Sequence, residues 1–273
     1  METNAPQHMH ITTLVSVGQH PLSHRQRRAD EDAKALEVML RFAPTYATAL
    51  HVGNADVGTQ QILRDYLGMG LNEIALLHTS EETDAALALL AHFSQTNSPL
   101  PDILLTGTRS ETGEASGFLP YIIAEKLQIP IVPSICALLS VNKIDGYAEV
   151  LQSLPRGQRR KLRVTLPFVA TVASSAPAPR QSSFAAAMRG NINIHALDDS
   201  PIDALKADWK IEDARPRPKR LKMVKAKTAA QRFKAATAKV QGNQGSTIYD
   251  TNEAVTAILK LLKEEKVSQL SKK

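Results

Sequence analysis

Five near-continuous apolar runs, separated by amphipathic segments, constrain the fold of this chain more than any other feature. The runs are 10–18, 46–53, 73–79, 101–107 and 129–139, and none alternates cleanly between apolar and polar residues. Such runs are typical of strands that are buried on both faces of a parallel sheet. Repeated strand–helix–strand units with short connections predict an α/β fold: a doubly wound, mainly parallel, Rossmann-like sheet in three layers.

The segments between these runs carry the end signals of helices. Gly68 and Gly70 are stop signals for the second helix. The third helical segment is expected to begin at Ser80, with Thr83–Asp84 in its first turn as a good N-terminal cap region. Pro120 is tolerable only in the first turn of the fourth helix, where its missing N–H costs nothing.

The pattern changes after Leu139. The segments "NKIDGYAEVLQSL" and "RRKLRVTLPFVATVASS" are predicted as a small antiparallel addition, with turns at Asp145–Gly146 and Pro155–Gly157. A proline-led loop then leads into a short helix of small residues, the periodicity fades, and an amphipathic helix closes the chain. We therefore predict an α/β domain at 1–196, followed by an extended arm and C-terminal helix at 197–273.

The net charge of +6 is unevenly placed. Residues 215–239 hold ten lysines and arginines and no acidic residue. Such a basic arm is a candidate for nucleic-acid binding. Phe233 is the single aromatic residue in it, so it lacks the stacking platforms of single-strand binders. We expect no nucleic-acid partner, and an arm that lies across another subunit.

Several features that the sequence lacks limit the compartment and the chemistry that we expect for this protein. One cysteine, Cys136, excludes an internal disulfide framework and is expected to be a core residue in a reducing cytoplasm. No apolar run approaches the roughly 18 residues that span a bilayer, so we expect no membrane insertion. The histidines lack metal-ligand spacing, and no common hydrolase, zinc or phosphate-loop motif occurs. We expect neither a metal site nor catalytic residues.

Three loops follow strands at the edge of the sheet where doubly wound folds bind ligands. They are "VGQHPLSHRQRRAD", "GNADVG" and "TGTRSETGEASG". Small, hydroxyl-bearing and glycine residues between a buried strand and a helix suit a phosphate-binding turn. Together the loops predict a nucleotide site, although a carboxylate, Glu111, lies in the middle of the third.

The order and spacing of several landmarks resemble the beta subunit of electron-transfer flavoproteins, which has an adenine nucleotide alpha-hydrolase-like fold. The resemblance covers roughly 10–196 and extends to the closing helix. The landmarks are the helix start Asp32, Ala35 and Glu37, the turn Met69–Gly70–Leu71, the strand start Leu166–Pro167, and the loop and helix residues Pro179, Arg180 and Met188.

This resemblance implies an electron carrier subunit and not an enzyme. The family pairs with an alpha subunit that holds most contacts to a redox-active FAD. The heterodimer carries electrons from a flavin-dependent dehydrogenase to a downstream acceptor, and the beta subunit buries an AMP that has no redox role. The basic arm and C-terminal helix would then pack on the alpha subunit.

The resemblance also assigns residues to the nucleotide. Backbone N–H groups at a helix N-terminus and the hydroxyls of Thr112 and Ser116 would hold the phosphate. The assigned residues are Val15, Ser16, Val17, Val52, Gly53, Asn54, Thr106, Gly107, Ser110, Thr112, Gly113, Ser116 and Gly117.

A docking loop, at about 174–190, is the second functional element that the resemblance implies. It would present Phe184, with Arg180 and Met188, to the dehydrogenase. A lone aromatic side chain among small residues suits an interface anchor. The alternative is that Phe184 covers the core of its own domain.

Departures from the family pattern leave alternatives open. The third loop is shortened to "RSETG", and Glu111 would repel a phosphate unless Arg109 offsets its charge. AMP could be retained, exchanged for another adenine nucleotide, or lost. An ATP-using enzyme of the same fold is the rival function, with Arg109, Glu111 and Glu114 as its only loop candidates, and a stand-alone nucleotide-binding module is the third.

Overall fold

The computed structural model describes residues 9–42, 44, 46–80, 83–94, 100–113, 115–197, 202–203, 208–210, 212, 228–231, 233 and 248–264. The chain divides into two compact units, Met1–Lys210 and Ile211–Lys273. The predicted boundary between residues 196 and 197 stays a prediction. The basic arm, 215–239, lies outside the described residues except for 228–231 and 233.

The first unit alternates strands and helices, and the second contains helix α6 at Thr251–Glu264. The helices of the first unit are α1 Asp30–Phe42, α2 Val57–Leu67, α3 Ala85–Ser94, α4 Leu119–Leu127 and α5 Phe184–Arg189. Its strands are β1 His10–Leu14, β2 Val17–Gln19, β3 Gln26–Arg28, β4 Tyr46–Gly53, β5 Glu73–His78, β6 Ile103–Thr106, β7 Ile131–Asn142, β8 Tyr147–Ser153, β9 Arg159–Thr165, β10 Phe168–Val172 and β11 Asn191–Ala196.

Within the described residues, nine strands form one sheet in the order β11-β5-β4-β1-β6-β10-β7-β8-β9. The first seven strands of this order run parallel to their neighbours, and β8 and β9 add an antiparallel hairpin at one edge. Strands β2 and β3 pair antiparallel outside the sheet. The predicted α/β class, with a mainly parallel sheet and a small antiparallel addition, is confirmed.

Two apolar cores, one on each face of the sheet, explain the continuous apolar runs. Ile103 and Leu105 of β6 pack with α1 and α2 residues, whereas Leu104 between them packs with α3 and α4 residues such as Leu89 and Ile123. Alternate side chains of a strand point to opposite faces. A strand covered by helices on both sides therefore needs apolar residues at every position, and the layers number three as predicted.

The helix ends follow local capping with one exception. Gly68 ends α2 as predicted, and Asp56 begins it by accepting a hydrogen bond from the N–H of Thr59. The prediction that Ser80 begins α3 is wrong, because the helix starts at Ala85. Asp84 is its cap, and its carboxylate accepts from the N–H groups of residues 86 and 87. Asp84 belongs to the cap region expected from the sequence, whereas the Ser80 hydroxyl contacts the Thr83 hydroxyl instead.

Strand β10 is the main correction to the predicted topology. The segment that contains it was predicted to be antiparallel, but Phe168–Val172 lies parallel between β6 and β7. All five of its residues are buried. Such a short run without polar alternation is what a strand covered on both faces requires. By contrast, β8 alternates between buried and half-buried residues, and five of the seven residues of β9 are exposed.

Strand β11 was not predicted. Asn191–Ala196 pairs parallel with β5 at the other edge of the sheet, and five of its six residues are exposed. Its alternation of asparagine and isoleucine is a weak signal for an edge strand.

The predicted first strand, 10–18, is split in the structure: β1 ends at Leu14, and Val17 begins the separate hairpin.

The strand order places a topological switch point between β1 and β6. From β1 the chain builds β4 and β5 on one side, and it then crosses to place β6 on the other side of β1. Ligand clefts of doubly wound sheets open at the carboxyl ends of the strands beside such a point. None of the described helices is long and apolar enough to cross a membrane.

Candidate functional site

A cleft of about 780 Å³ opens at the carboxyl ends of β1, β4 and β6. Its size lies within the range of roughly 300–1,000 Å³ that is usual for small-ligand sites. The structure brings all thirteen residues assigned to the nucleotide together around this cleft. They are Val15, Ser16, Val17, Val52, Gly53, Asn54, Thr106, Gly107, Ser110, Thr112, Gly113, Ser116 and Gly117.

The end of β1 is tied to the start of α1 by a buried carboxylate. Asp32 accepts hydrogen bonds from the N–H of Ser16 at 2.8 Å and from its hydroxyl at 2.5 Å. The N–H of Gly107, at the end of β6, also donates to Asp32. A side chain at position 107 would collide with the Asp32 carboxylate. Asp32 therefore joins two strand ends, and glycine at 107 permits the close approach.

Burial makes ionisation of Asp32 costly. It raises the pKa of Asp32 to about 7, although the hydrogen bonds from Ser16 and Gly107 favour the charged form. This carboxyl group therefore titrates near neutral pH, and its titration is coupled to folding.

A second carboxylate of α1 holds the loop that follows β6. Oε2 of Glu31 accepts from the backbone N–H groups of Thr108 at 3.0 Å and Arg109 at 3.2 Å, and also from the Thr108 hydroxyl. The first turn of a helix favours negative charge, because the N–H groups there are aligned toward it. Glu31 thus satisfies two loop N–H groups and fixes the loop against α1.

Glu111 is turned away from the cleft and holds the β2–β3 hairpin. Its carboxylate accepts from Arg27 at 3.1 Å, from the N–H of Asp30 at 2.9 Å and from the N–H of Gln19 at 3.1 Å. The cation that offsets Glu111 is therefore Arg27 and not Arg109, which corrects the expectation from sequence. Arg109 lines the cleft and forms no ion pair within the described part of the chain.

The two hydroxyls expected at the phosphate have different surroundings. Thr112 donates its hydroxyl hydrogen to the carbonyl of Val17 at 2.9 Å, so this side chain holds the loop. Ser116 accepts from the N–H of Phe118 at 3.3 Å, and its own hydroxyl hydrogen has no acceptor among the described residues. Gly117 has a φ of 75°, and a Cβ there would lie 2.7 Å from the carbonyl oxygen of Thr108. Glycine is therefore required at this turn.

Sequence reasoning missed several cleft residues. His51 is one residue upstream of the assigned group in β4, and it lines the cleft although it is almost fully buried. A histidine within an apolar strand gives little sign that it faces a cleft rather than a core. Trp209, far along the chain from the three loops, also lines the cleft, and no local pattern places it there.

The predicted docking loop separates into a held part and an exposed part. Phe184 and Met188, one turn apart on α5, are 80% and 58% exposed. Arg180 is engaged within the chain: its side chain donates to buried Glu37 at 2.8 Å, and its N–H donates to the same carboxylate at 3.1 Å. The N–H of Ser183 donates to the carbonyl of Gly68. Arg180 thus anchors the loop that presents the two apolar side chains.

The ion pair at Glu37 is embedded in the domain. Burial opposes ionisation of Glu37, but hydrogen bonds from Arg180 and Arg41 outweigh it and hold the pKa of Glu37 below its usual value. Loss of Arg180 would remove the bond that holds the loop to α1 and leave Arg41 as the side-chain partner of Glu37. Elsewhere in the described residues, no group of three or more His, Cys, Asp or Glu could hold a metal ion.

Replacement of Asp32 by asparagine should change how stability depends on pH. A pKa of about 7 in the folded chain, against 3.8 ordinarily, means that the folded state binds more protons between these values, so stability falls as pH rises through the window. Asp32→Asn removes this loss. Its free energy of unfolding relative to wild type should rise between pH 5 and pH 7, by at most about 1.4 kcal/mol per pH unit.

Urea unfolding of both proteins at pH 5, 6, 7 and 8 measures the effect. Asp65→Asn, at an exposed position of α2, is the matched control for the loss of a carboxylate. A stability difference for Asp32→Asn that is constant, or that moves toward wild type as pH rises, would contradict the assignment.

No protein-family model matches the chain. The chain is 44% identical over 261 residues to the electron transfer flavoprotein subunit beta of Chromohalobacter salexigens, and the match covers 95% of this chain and 96% of that protein. The landmark residues from the sequence, including Asp32, Glu37 and Arg180, hold the strand ends and the loop in this fold. The chain belongs to the family of electron transfer flavoprotein beta subunits.

Proposed function

We propose that this chain is the beta subunit of an electron-transfer heterodimer, which carries electrons from a flavin-dependent dehydrogenase to a downstream acceptor. The observation that carries the proposal is the 44% identity, over 95% of the chain, with a protein named as such a subunit. FAD, held mostly by an alpha subunit, supplies the redox chemistry. This chain contributes by positioning the other components. It binds a nucleotide, packs against the alpha subunit and presents a docking loop.

We propose AMP as the ligand of the cleft. Three features of the cleft support a phosphate beside the loop after β6. Arg109 offers a cation that forms no ion pair among the described residues, Ser116 offers a hydroxyl, and Gly117 brings the backbone close to the start of α4. Glu111 no longer argues against an anion, because Arg27 and two backbone N–H groups hold it on the far side of the loop.

The alpha subunit is the proposed partner of the C-terminal part of the chain. Helix α6 carries Val255, Ile258 and Leu259 at helical spacing, and each of these side chains is about half exposed. Apolar residues repeated at this spacing mark a face that packs against another protein surface. The basic arm before it has no apolar core of its own in sequence, and we assign it to the same partner.

The docking loop is proposed to contact the donor dehydrogenase through Phe184 and Met188. An aromatic side chain with a neighbouring methionine suits a hydrophobic pocket on a partner. The alternative, that Phe184 covers its own core, is disfavoured by its 80% exposure. Arg180 has an indirect role, because its ion pair with Glu37 fixes the loop from which helix α5 projects.

An ATP-using enzyme of the same fold is the weaker proposal. It requires acidic or basic side chains free for phosphoryl or metal chemistry, but Glu111 is committed to Arg27, and Glu114 lies outside the described residues. Turnover of ATP with magnesium would revive it. A stand-alone nucleotide-binding module fits poorly with the exposed apolar face of α6. The cytoplasmic location expected from the single cysteine stays a prediction.

The composition of the purified complex tests the proposed function. Co-expressed with its alpha subunit, the chain should purify as a yellow heterodimer that a flavin dehydrogenase reduces. Denaturation should release one FAD and one AMP, identified by mass. Two FAD molecules would replace the plain carrier with an electron-bifurcating type, and FAD without AMP would remove the nucleotide proposal. A colourless, stable monomer would contradict the function.

Glu111→Gln distinguishes a carboxylate that holds the loop from one that repels phosphate. Glutamine loses the charge-assisted bond to Arg27, so the loop loosens and affinity for AMP should fall roughly tenfold. Isothermal titration of the nucleotide-stripped heterodimer measures it. Glu125→Gln, on the exposed side of α4, is the control and should bind like wild type. Tighter binding by Glu111→Gln would mean that this carboxylate faces the phosphate.

Phe184→Ala should slow electron transfer from the dehydrogenase that reduces the wild-type heterodimer. Truncating an interface anchor costs about 2 kcal/mol or more, which corresponds to roughly a thirtyfold weaker docking interaction. Flavin reduction rates at sub-saturating heterodimer measure it, and the thermal midpoint should not change. Phe118→Ala removes an aromatic ring that is 65% exposed elsewhere and should react like wild type. An unchanged rate for Phe184→Ala excludes the docking role.

A further inference from the structure

His51 is a buried histidine of the cleft to which neither the sequence landmarks nor the loops assign a task. It lies in β4, immediately before Val52 and Gly53, and its side chain is 7% exposed. It nevertheless lines the cleft. A buried polar ring in an otherwise apolar strand costs free energy unless its nitrogen atoms find hydrogen-bond partners.

One of the two ring nitrogens is assigned by its partner. Nδ1 of His51 lies 2.8 Å from the carbonyl oxygen of Val15. A carbonyl oxygen can only accept, so the hydrogen of the ring is on Nδ1. Burial lowers the pKa of His51, which keeps the ring neutral at neutral pH. Nε2 therefore carries a lone pair and no hydrogen, and it can act only as an acceptor.

The other nitrogen faces the cleft beside Gly53. A Cβ at position 53 would lie 2.9 Å from Nε2, so glycine keeps the space next to this atom open. No hydrogen bond to Nε2 is formed within the described part of the chain. Among the described residues, the fully enclosed side-chain nitrogens that lack a hydrogen-bond partner belong to Arg27 and Arg28. Nε2 of His51 also lacks a partner but is not one of these enclosed atoms, so it is accessible from the cleft that His51 lines.

The strand order sets the distance between His51 and the phosphate position. Strand β4 is separated from β6 by β1 alone, and neighbouring strands lie about 4.8 Å apart, so the two strands are roughly 10 Å apart. A nucleotide with its phosphate at the loop after β6 would reach His51 only if its sugar and base extended across β1 toward β4. The groups that reach His51 belong to the nucleoside part of the ligand.

We propose that His51 is a specificity-determining residue of this cleft, whose Nε2 accepts a hydrogen bond from a sugar hydroxyl or base amino group of the bound nucleotide. The inference rests on the proposed nucleotide site. A site built to hydrogen-bond a donor rejects analogues that lack it, because its own buried acceptor is then left without a partner. A purely structural role, in which His51 only ties β4 to Val15, predicts no such selectivity.

Three analogues of AMP remove the nucleoside donors one at a time. They are 2′-deoxy-AMP, 3′-deoxy-AMP and inosine monophosphate, which lacks the exocyclic amino group. The nucleotide-stripped heterodimer, with the full-length chain, is titrated with each analogue and with AMP. The variants are His51→Phe, which cannot accept, and His51→Gln, whose amide oxygen can. His78→Gln is the matched control, since His78 pairs with Gly53 in the adjacent strand but does not line the cleft.

Wild type should bind AMP roughly tenfold more tightly than at least one analogue. His51→Phe should lose that preference, His51→Gln should retain part of it, and His78→Gln should keep it in full. If His51→Phe does not fold, as judged by circular dichroism, a preference for AMP in His51→Gln as large as that of wild type overturns the proposal, and a reduced one supports it.

The outcomes separate this inference from the function on which it rests. A wild-type heterodimer that binds AMP but shows the same preference as His51→Phe overturns the role of His51 alone. So does a wild type that binds AMP and all three analogues equally. A wild-type heterodimer that binds none of the four nucleotides overturns the nucleotide site and the role of His51 together.

Discussion

Three carboxylates hold the loops that form the cleft, and one of them, Asp32, lines it. Asp32 joins the ends of β1 and β6, Glu31 accepts from the loop after β6, and Glu111 returns from that loop to the β2–β3 hairpin. Two of them lie in the first turn of α1, where the aligned N–H groups of the helix favour negative charge. Hydrogen-bond donors of the chain itself satisfy these negative charges: Ser16 for Asp32, Thr108 for Glu31 and Arg27 for Glu111.

This arrangement leaves a cleft with few but complementary groups. Arg109 and Ser116 can meet an anion, His51 can accept from a sugar or base, and Gly107 and Gly117 let the backbone come close. Hydrogen bonds from Thr108, Arg109 and Thr112 already hold the loop, and preorganisation of this kind lowers the free-energy cost of binding. The charged form of Asp32 lowers the stability of the folded chain in return, since burial raises the pKa of Asp32 to about 7.

The sequence predicted the layers of the fold but not the whole strand order. Apolar runs at consecutive positions indicate strands covered on both faces, and β4, β5 and β6 follow them closely. The same rule applies to Phe168–Val172, yet periodicity carries no information about neighbours, and the polar strand β9 before it suggested a continued antiparallel hairpin. The insertion of β10 between β6 and β7 is a long-range choice, made by the helices that cover both of its faces.

The candidate site was predictable to a similar degree. The loops were identified because carboxyl ends of parallel strands share one edge of a sheet. The partner of Glu111 was not identified from the sequence, because Arg27 is 84 residues away and Arg109 was the nearer cation. His51 was missed because a buried histidine in a strand has the same sequence pattern whether it faces a cleft or a core. Membership of the beta-subunit family was predictable because several landmarks occur in the right order, and these landmarks hold strand ends and loops in place.

A crystal structure of the heterodimer tests the account most directly. Electron density for AMP is expected in the cleft, with the phosphate beside Ser116 and Arg109. The Glu111 carboxylate is expected to stay bound to Arg27 and to point away from the ligand. Density that places Glu111 inside the cleft, with no nucleotide at the ends of β1, β4 and β6, would contradict it.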